Sequence, residues 1–262
     1  MKVLAVIKKE LTEHVRNFKL PLLVMIIFGA ILMALYTEVG PTAKSSSVLD
    51  PFLELFLVIC PIIGIAAAMD SIVGEKERGT LELVLSKPIS RGSLLYGKFA
   101  TYILIIVPLL AAELILAYYW AQVSGISTLR WQLPMPPLSQ WLSMVVILSL
   151  VCMYYTALTI LISLFAPSTT TAGLVGVLFM TPAHPLGGHV LQVFLRITGW
   201  NDFGSAALPF KFVFSVFGKY QKFAVTSTTD FLIGSFSLLI LTVFLLFVSG
   251  WIFEKQNIAY RI

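Results

Sequence analysis

The sequence predicts an all-α, polytopic integral membrane protein. Three observations lead there. Of its 262 residues, 58% are apolar and only 12% charged, about half the charged share of a soluble domain. The apolar residues are gathered into long uncharged stretches. The basic residues gather near the ends of those stretches. So high an apolar content excludes both an ordinary water-soluble globule and a disordered chain. The net charge of +5 follows from membrane topology and needs no nucleic-acid partner.

A helix needs about 20 apolar residues to cross the hydrocarbon core. Residues 20–37 supply the first crossing. This run begins only after a segment holding both acids and bases, so it is expected to stay as an anchor. Residues 51–73 supply the second, with Glu54 and Asp70 near its ends, and 93–120 the third, interrupted by Lys98 and Glu113. No Asp, Glu, Lys or Arg lies between Arg130 and Arg196. That stretch is too long for one crossing, and Ala166-Pro167-Ser168-Thr169-Thr170 divides it into 141–165 and 171–182. The sixth crossing runs over 231–253, between Asp230 and Glu254.

With the N-terminus inside, 12 of the 18 Lys and Arg residues fall on the cytoplasmic side, the side they favour. Both termini are then cytoplasmic. The connection 183–230 lies outside and is too apolar for a solvated loop. It is read either as re-entrant helices dipping into the outer leaflet or as a small folded cap. Cys60 and Cys152 each sit inside an apolar run and read as buried free thiols.

The first 18 residues are amphipathic. Leu4, Ile7, Leu11, Val15 and Phe18 recur at spacings of three and four, which places them on one helical face. Lys8, Lys9, Glu13 and Arg16 fall elsewhere. Such a helix lies in the membrane interface, apolar side down, or else is a simple polar tail.

Residues 74–92 carry the most information. The stretch Gly74-Glu75-Lys76-Glu77-Arg78-Gly79-Thr80-Leu81-Glu82 leaves the second crossing. Thr80 can cap a short helix, and Glu82 in its first turn suits the helix dipole. Leu81, Val84 and Leu85 form an apolar face, and Pro88 stops the helix. Ser90 or Ser93 can cap the third crossing. An apolar face with a charged rim in water calls for a partner, or rests on lipid headgroups.

Glu-Lys-Glu-Arg-Gly-Thr-Leu-Glu at 75–82, followed by Leu85, Pro88, Ile89, Ser90, Arg91 and Gly97-Lys98, resembles the signature of type II ABC exporter permeases. In detail it is similar to the branch around multicopper-enzyme maturation, including the nitrous oxide reductase maturation permease. The resemblance implies a half-transporter of six spans with an N-terminal elbow helix. Two permease copies, as a homodimer, would line the pathway, driven by two copies of a separate ATPase subunit that holds ATP and Mg. Residues 75–91 would be the coupling helix that docks on that subunit. Glu75, Glu77, Arg78 and Glu82 would make rim contacts and Leu81 and Leu85 would pack, while Gly79 turns the chain. Thr80, Pro88 and Arg91 complete the motif. No cofactor is expected in this chain.

The remaining polar features carry less. Gly92 to Lys98 imitates a phosphate-binding loop, but Phe99 stands where Ser or Thr would hold Mg²⁺, so no nucleotide is expected there. Asp202-Phe203-Gly204 lacks a catalytic-loop motif around it. His184 and His189 match no metal-ligand spacing, so no metal is expected. No catalytic constellation occurs. Glu113 lies toward the outer half of the third crossing, after Pro108. Either it lines a pathway, since a carboxylate at depth is costly, or it sits near the headgroups or a polar neighbour. The competing functional class is an ATPase-independent channel or scaffold.

Overall fold

The computed structural model describes residues 2–16, 25–29, 49–81, 90–123, 137–180 and 228–256. Helices make up all the regular structure of these residues. They are α1 (Lys2–Arg16), α2 (Leu49–Ala68), α3 (Val73–Glu77), α4 (Arg91–Val123), α5 (Leu138–Phe165), α6 (Thr169–Met180) and α7 (Thr228–Lys255). Residues 25–29, within the expected first crossing, are helical too. The connection 183–230 lies outside the described residues apart from the start of α7.

Among the described residues, four helices are long and apolar enough to cross a membrane. They fall on the second, third, fourth and sixth expected crossings. The described part of the fifth, α6, has 12 residues and rises about 18 Å, against a hydrocarbon core of about 30 Å.

The second crossing ends earlier than its hydropathy suggests. Helix α2 stops at Ala68, four residues turn, and α3 starts at Val73. The apolar pattern runs on because Ile72 and Val73 are fully buried inside protein, and a sequence does not distinguish that burial from lipid. Helix α4 continues through Pro108.

Helix α5 is the central strut, packed against α2, α4, α6 and α7. Its middle is buried on nearly every side, from Met144 to Ile160. Hydroxyls in this apolar setting donate to the carbonyl one turn back: Ser149 to Val145 at 2.8 Å, Thr156 to Cys152 at 2.7 Å and Thr159 to Tyr155 at 2.8 Å. That satisfies these three hydroxyl protons where water is absent. Trp141 is fully buried and donates its indole N–H to the Leu114 carbonyl at 2.9 Å, joining the start of α5 to α4. Cys60 and Cys152 are buried free thiols, as expected.

Small residues set the closest approaches. A Cβ on Gly64 would stand 2.9 Å from the Cys152 carbonyl oxygen and 3.1 Å from the Thr156 amide, so α2 meets α5 backbone to backbone there. The outward surface is apolar: Leu104 and Leu116 on α4, Leu174 and Leu178 on α6, and Phe236, Phe244 and Phe247 on α7 are exposed. A belt of that kind suits lipid or another apolar surface, not water.

We predict that Gly64→Val destabilises the bundle by about 1–3 kcal/mol, the usual cost of overpacking a fixed interface. Gly29→Ala, with no atom of the described residues within 4 Å of the added carbon, should not destabilise it. Thermal unfolding of the detergent-solubilised protein checks both.

Candidate functional site: a charged hairpin at one end of the bundle

One end of the bundle gathers the start of α4, the end of α5, the start of α6, the end of α7, and both α1 and α3. Helix α3 has five residues, too few to be stable alone. Its ends are therefore held by other parts of the chain.

At its N-terminal end the capping group comes from α5. Ser163 Oγ accepts from the Ile72 amide at 3.1 Å and the Val73 amide at 3.4 Å, and lies 3.0 Å from the Ser71 hydroxyl. At its C-terminal end the chain closes a two-bond turn. The Gly79 amide donates to the Lys76 carbonyl at 3.1 Å and the Thr80 amide to the Glu75 carbonyl at 3.0 Å. Gly79 has φ +64°, the left-handed conformation this turn requires at that position. The sharp turn expected at Gly79 is present. The Thr80 hydroxyl also donates to the Glu75 carbonyl, at 3.4 Å, and so seals the end of α3.

The hairpin side chains then reach neighbouring helix termini. Lys76 Nζ donates to the Leu164 carbonyl at 2.8 Å, at the C-terminal end of α5. Glu77 Oε1 accepts from the Thr169 amide at 3.1 Å, at the first residue of α6. Each charge meets the helix end of opposite partial charge. Ser168 completes the start of α6, accepting from the Thr171 amide at 3.1 Å.

Beneath the hairpin lies a buried charge cluster. Lys98 Nζ is 3.0 Å from Glu10 Oε1 and 2.9 Å from Glu75 Oε1, and all three side chains are 5% exposed. Lys9, 53% exposed, adds looser contacts at 3.7 Å to Glu10 and 4.0 Å to Glu75. Two carboxylates face two ammonium groups. Removing one partner from such a buried pair costs about 3–5 kcal/mol, because the other charge is stranded.

The structure redistributes the residues that the motif marks. Lys76, Glu77, Arg78 and Gly79 are exposed. Glu75 is not at a rim: it is buried against Lys98. Leu81 is not on an exposed apolar face either; it belongs to this chain's own core. Arg91 leaves the hairpin and caps α7, with Nη1 donating to the carbonyls of Phe253 at 3.3 Å, Glu254 at 3.5 Å and Gln256 at 2.5 Å. Ser90 is the cap of α4, accepting from the Ser93 amide at 3.3 Å. Glu82, Leu85 and Pro88 lie outside the described residues, as do His184, His189 and Asp202. Glu113 is not part of this end: it sits 15 residues beyond Lys98 on α4, about 22 Å along the helix. It is half-buried, and its Oε2 has no hydrogen-bond partner among the described residues.

Sequence reasoning missed Glu10, Ser163 and the pairing of Lys98. Leu4 and Leu11, on the apolar stripe of α1, are 68% and 40% exposed, as a lipid-facing stripe would be. The side of α1 turned toward protein carries Val6 and Glu10, both buried. Lys98 did hold a signal: a lysine inside an apolar run needs a counter-charge.

Comparison with known proteins agrees with this architecture. Residues 4–258 match the family described as ABC-2 family transporter protein. The chain is 34% identical over 116 residues to the probable ABC transporter permease protein NosY of Pseudomonas aeruginosa. It is 33% identical over 111 residues to the probable ABC transporter permease protein NosY of Stutzerimonas stutzeri. These alignments cover 40% and 38% of this chain and the same shares of the relatives, so the chain spans about two-fifths of the curated relatives it matches. The family match extends over nearly the full length, and the chain belongs to the ABC-2 transporter family. It is a multi-pass membrane protein, and the family is the one that the 75–98 motif implied.

Ser163→Ala should cost about 1–3 kcal/mol, since it strands buried amides at the start of α3. The hairpin should loosen while α2 and α7 hold, and amide hydrogen exchange of residues 71–78 against the rest of the chain checks this.

Proposed function

We propose that this ABC-2 family chain is the permease subunit of an ATP-driven exporter. It would form the membrane pathway as a homodimer and be worked by two copies of a separate ATPase subunit that binds ATP and Mg. The observation that carries this reading is the α3 hairpin. It exposes Lys76, Glu77, Arg78 and Gly79 while being fastened to α4, α5 and α6.

A lever needs those two properties together, an accessible handle and firm attachment to what it moves. Glu77, Arg78 and Gly79 are the described part of the handle, and Glu82, Leu85 and Pro88 continue it. Thr80 keeps the turn closed. Glu75 and Leu81 serve from the inside, as the roots of the hairpin. Arg91 ties the start of α4 to the end of α7, so that these two ends shift together. When the ATPase closes on nucleotide, the push reaches α5 through Ser163 and Leu164, α6 through Thr169 and α4 through Lys98.

The reading includes six crossings with both termini cytoplasmic. Helix α1 is the elbow helix in the inner interface, supported by its exposed leucines. Residues 183–230 form the outer re-entrant or cap segment. Glu113 is the candidate pathway residue, since its carboxylate lies within the apolar stretch of α4 beyond Lys98. The scarcity of polar residues in the crossings favours a lipid-like or apolar cargo.

Affinity purification from detergent tests the assignment: a stoichiometric ATP-binding partner should be recovered, and its reproducible absence defeats the proposal. Glu77→Ala with Arg78→Ala should weaken ATPase docking about tenfold or more, as truncation of interface anchors does. Membrane insertion should stay intact. A cysteine at position 78 should react with impermeant maleimide from the cytoplasmic face alone.

A further inference from the structure

We infer that Glu10, Lys98 and Glu75 form a three-way electrostatic clamp that makes α1, the α3 hairpin and the base of α4 move as one body, with Lys98 as its positioning residue. The first ground is geometric. Three segments far apart in the chain each send one charge to a single buried point, with Lys98 Nζ 3.0 Å from Glu10 and 2.9 Å from Glu75. The second is the pattern of packing around them. Helix α1 packs chiefly on α4, whereas α3 packs on α5 and α6. The cluster ties both α1 and α3 directly to the base of α4.

The third ground is the kind of force involved. Apolar surfaces slide past one another at little cost as long as they stay covered. A buried ammonium shared by two carboxylates does not slide. Moving either carboxylate by a few ångströms strands a charge in a water-poor site. Glu75 pairs through Oε1, and its buried Oε2 has no hydrogen-bond partner among the described residues, so Lys98 is its main counter-charge. Lys9, on the exposed side, makes the cluster neutral in sum. A displacement of the hairpin is therefore felt by α4 through Lys98 and by α1 through Glu10. Helix α1 thereby becomes a moving part, where an elbow lying on the membrane would be a passive anchor.

The mechanical consequence rests on the docking reading above, but the clamp itself is a property of this chain alone. Its test has two arms. The first is hydrogen exchange with the full chain in lipid nanodiscs, with no partner present. Single replacement of Lys98 risks misfolding, because it strands two carboxylates. The decisive variant is the triple Glu10→Gln, Lys98→Met, Glu75→Gln, which removes the three buried charges with little change in shape and leaves only the exposed Lys9. The triple variant should remain folded by gel filtration, with unchanged exchange in α5 and α7. Amides of both 2–16 and 73–81 should exchange about tenfold faster or more, as a lost local constraint allows. Lys98→Arg, which keeps the charge, should protect both segments. Loosening of only one segment, or of neither, overturns the clamp.

The second arm adds the ATPase partner and non-hydrolysed ATP. In the wild type, nucleotide should change exchange in 2–16. In the triple variant the ATPase should still co-purify, but that change should vanish. A nucleotide response in 2–16 that survives the triple replacement also overturns the clamp. Failure of the wild type to recover any ATPase defeats the docking reading instead, while the first arm still decides the clamp.

Discussion

A buried lysine shared by two buried glutamates organises one end of this molecule. An ammonium group so removed from water must have its counter-charges within hydrogen-bonding distance, or the fold loses several kcal/mol. Lys98 satisfies that demand with one carboxylate from α1 and one from α3. The position of the N-terminal helix and the depth of the hairpin are therefore set by the same atom. Apolar packing alone would leave α1 free to slide along α4.

The rest of that end obeys a related constraint. Every helix terminus leaves unsatisfied amides or carbonyls, and here other segments satisfy them. Ser163 of α5 serves the start of α3, Glu77 serves the start of α6, Lys76 serves the end of α5 and Arg91 serves the end of α7. The signs are consistent, with cations at carbonyl ends and a carboxylate at an amide end. Each cap joins two elements distant in the chain, so the polar chemistry that completes the helices also cross-links the bundle end. Along the sides, the exposed described surface is largely apolar, and buried hydroxyls such as those of Ser149, Thr156 and Thr242 bond back to their own helices.

This division of labour suits a member of the ABC-2 transporter family. A smooth apolar bundle can shift in a bilayer. A stiff, polar, cross-linked end offers a place where force can enter. The hairpin is small, but its attachments reach two of the long helices, α4 and α5, and α6 through side-chain bonds of 2.8–3.4 Å; Arg91, at the start of α4, carries the connection on to α7.

By itself the sequence determined the membrane class, the places of the long helices, the amphipathic first helix and the charged motif between the second and third crossings. It could do so because these features are local. An apolar run of sufficient length, a three-and-four spacing, or a glycine at a helix end has one physical meaning wherever it falls. Tertiary structure decided what the charges are for. Glu75 and Leu81 read as surface residues of the motif, yet both are buried; Arg91 reads as part of the hairpin, yet it caps α7; Glu10 carried no mark at all. The end of α2 was misplaced for a similar reason, since Ile72 and Val73 are apolar for a protein neighbour and not for lipid. A charge or an apolar side chain acquires its role from the group it meets, and those groups come from helices up to 165 residues away, beyond the reach of any local pattern.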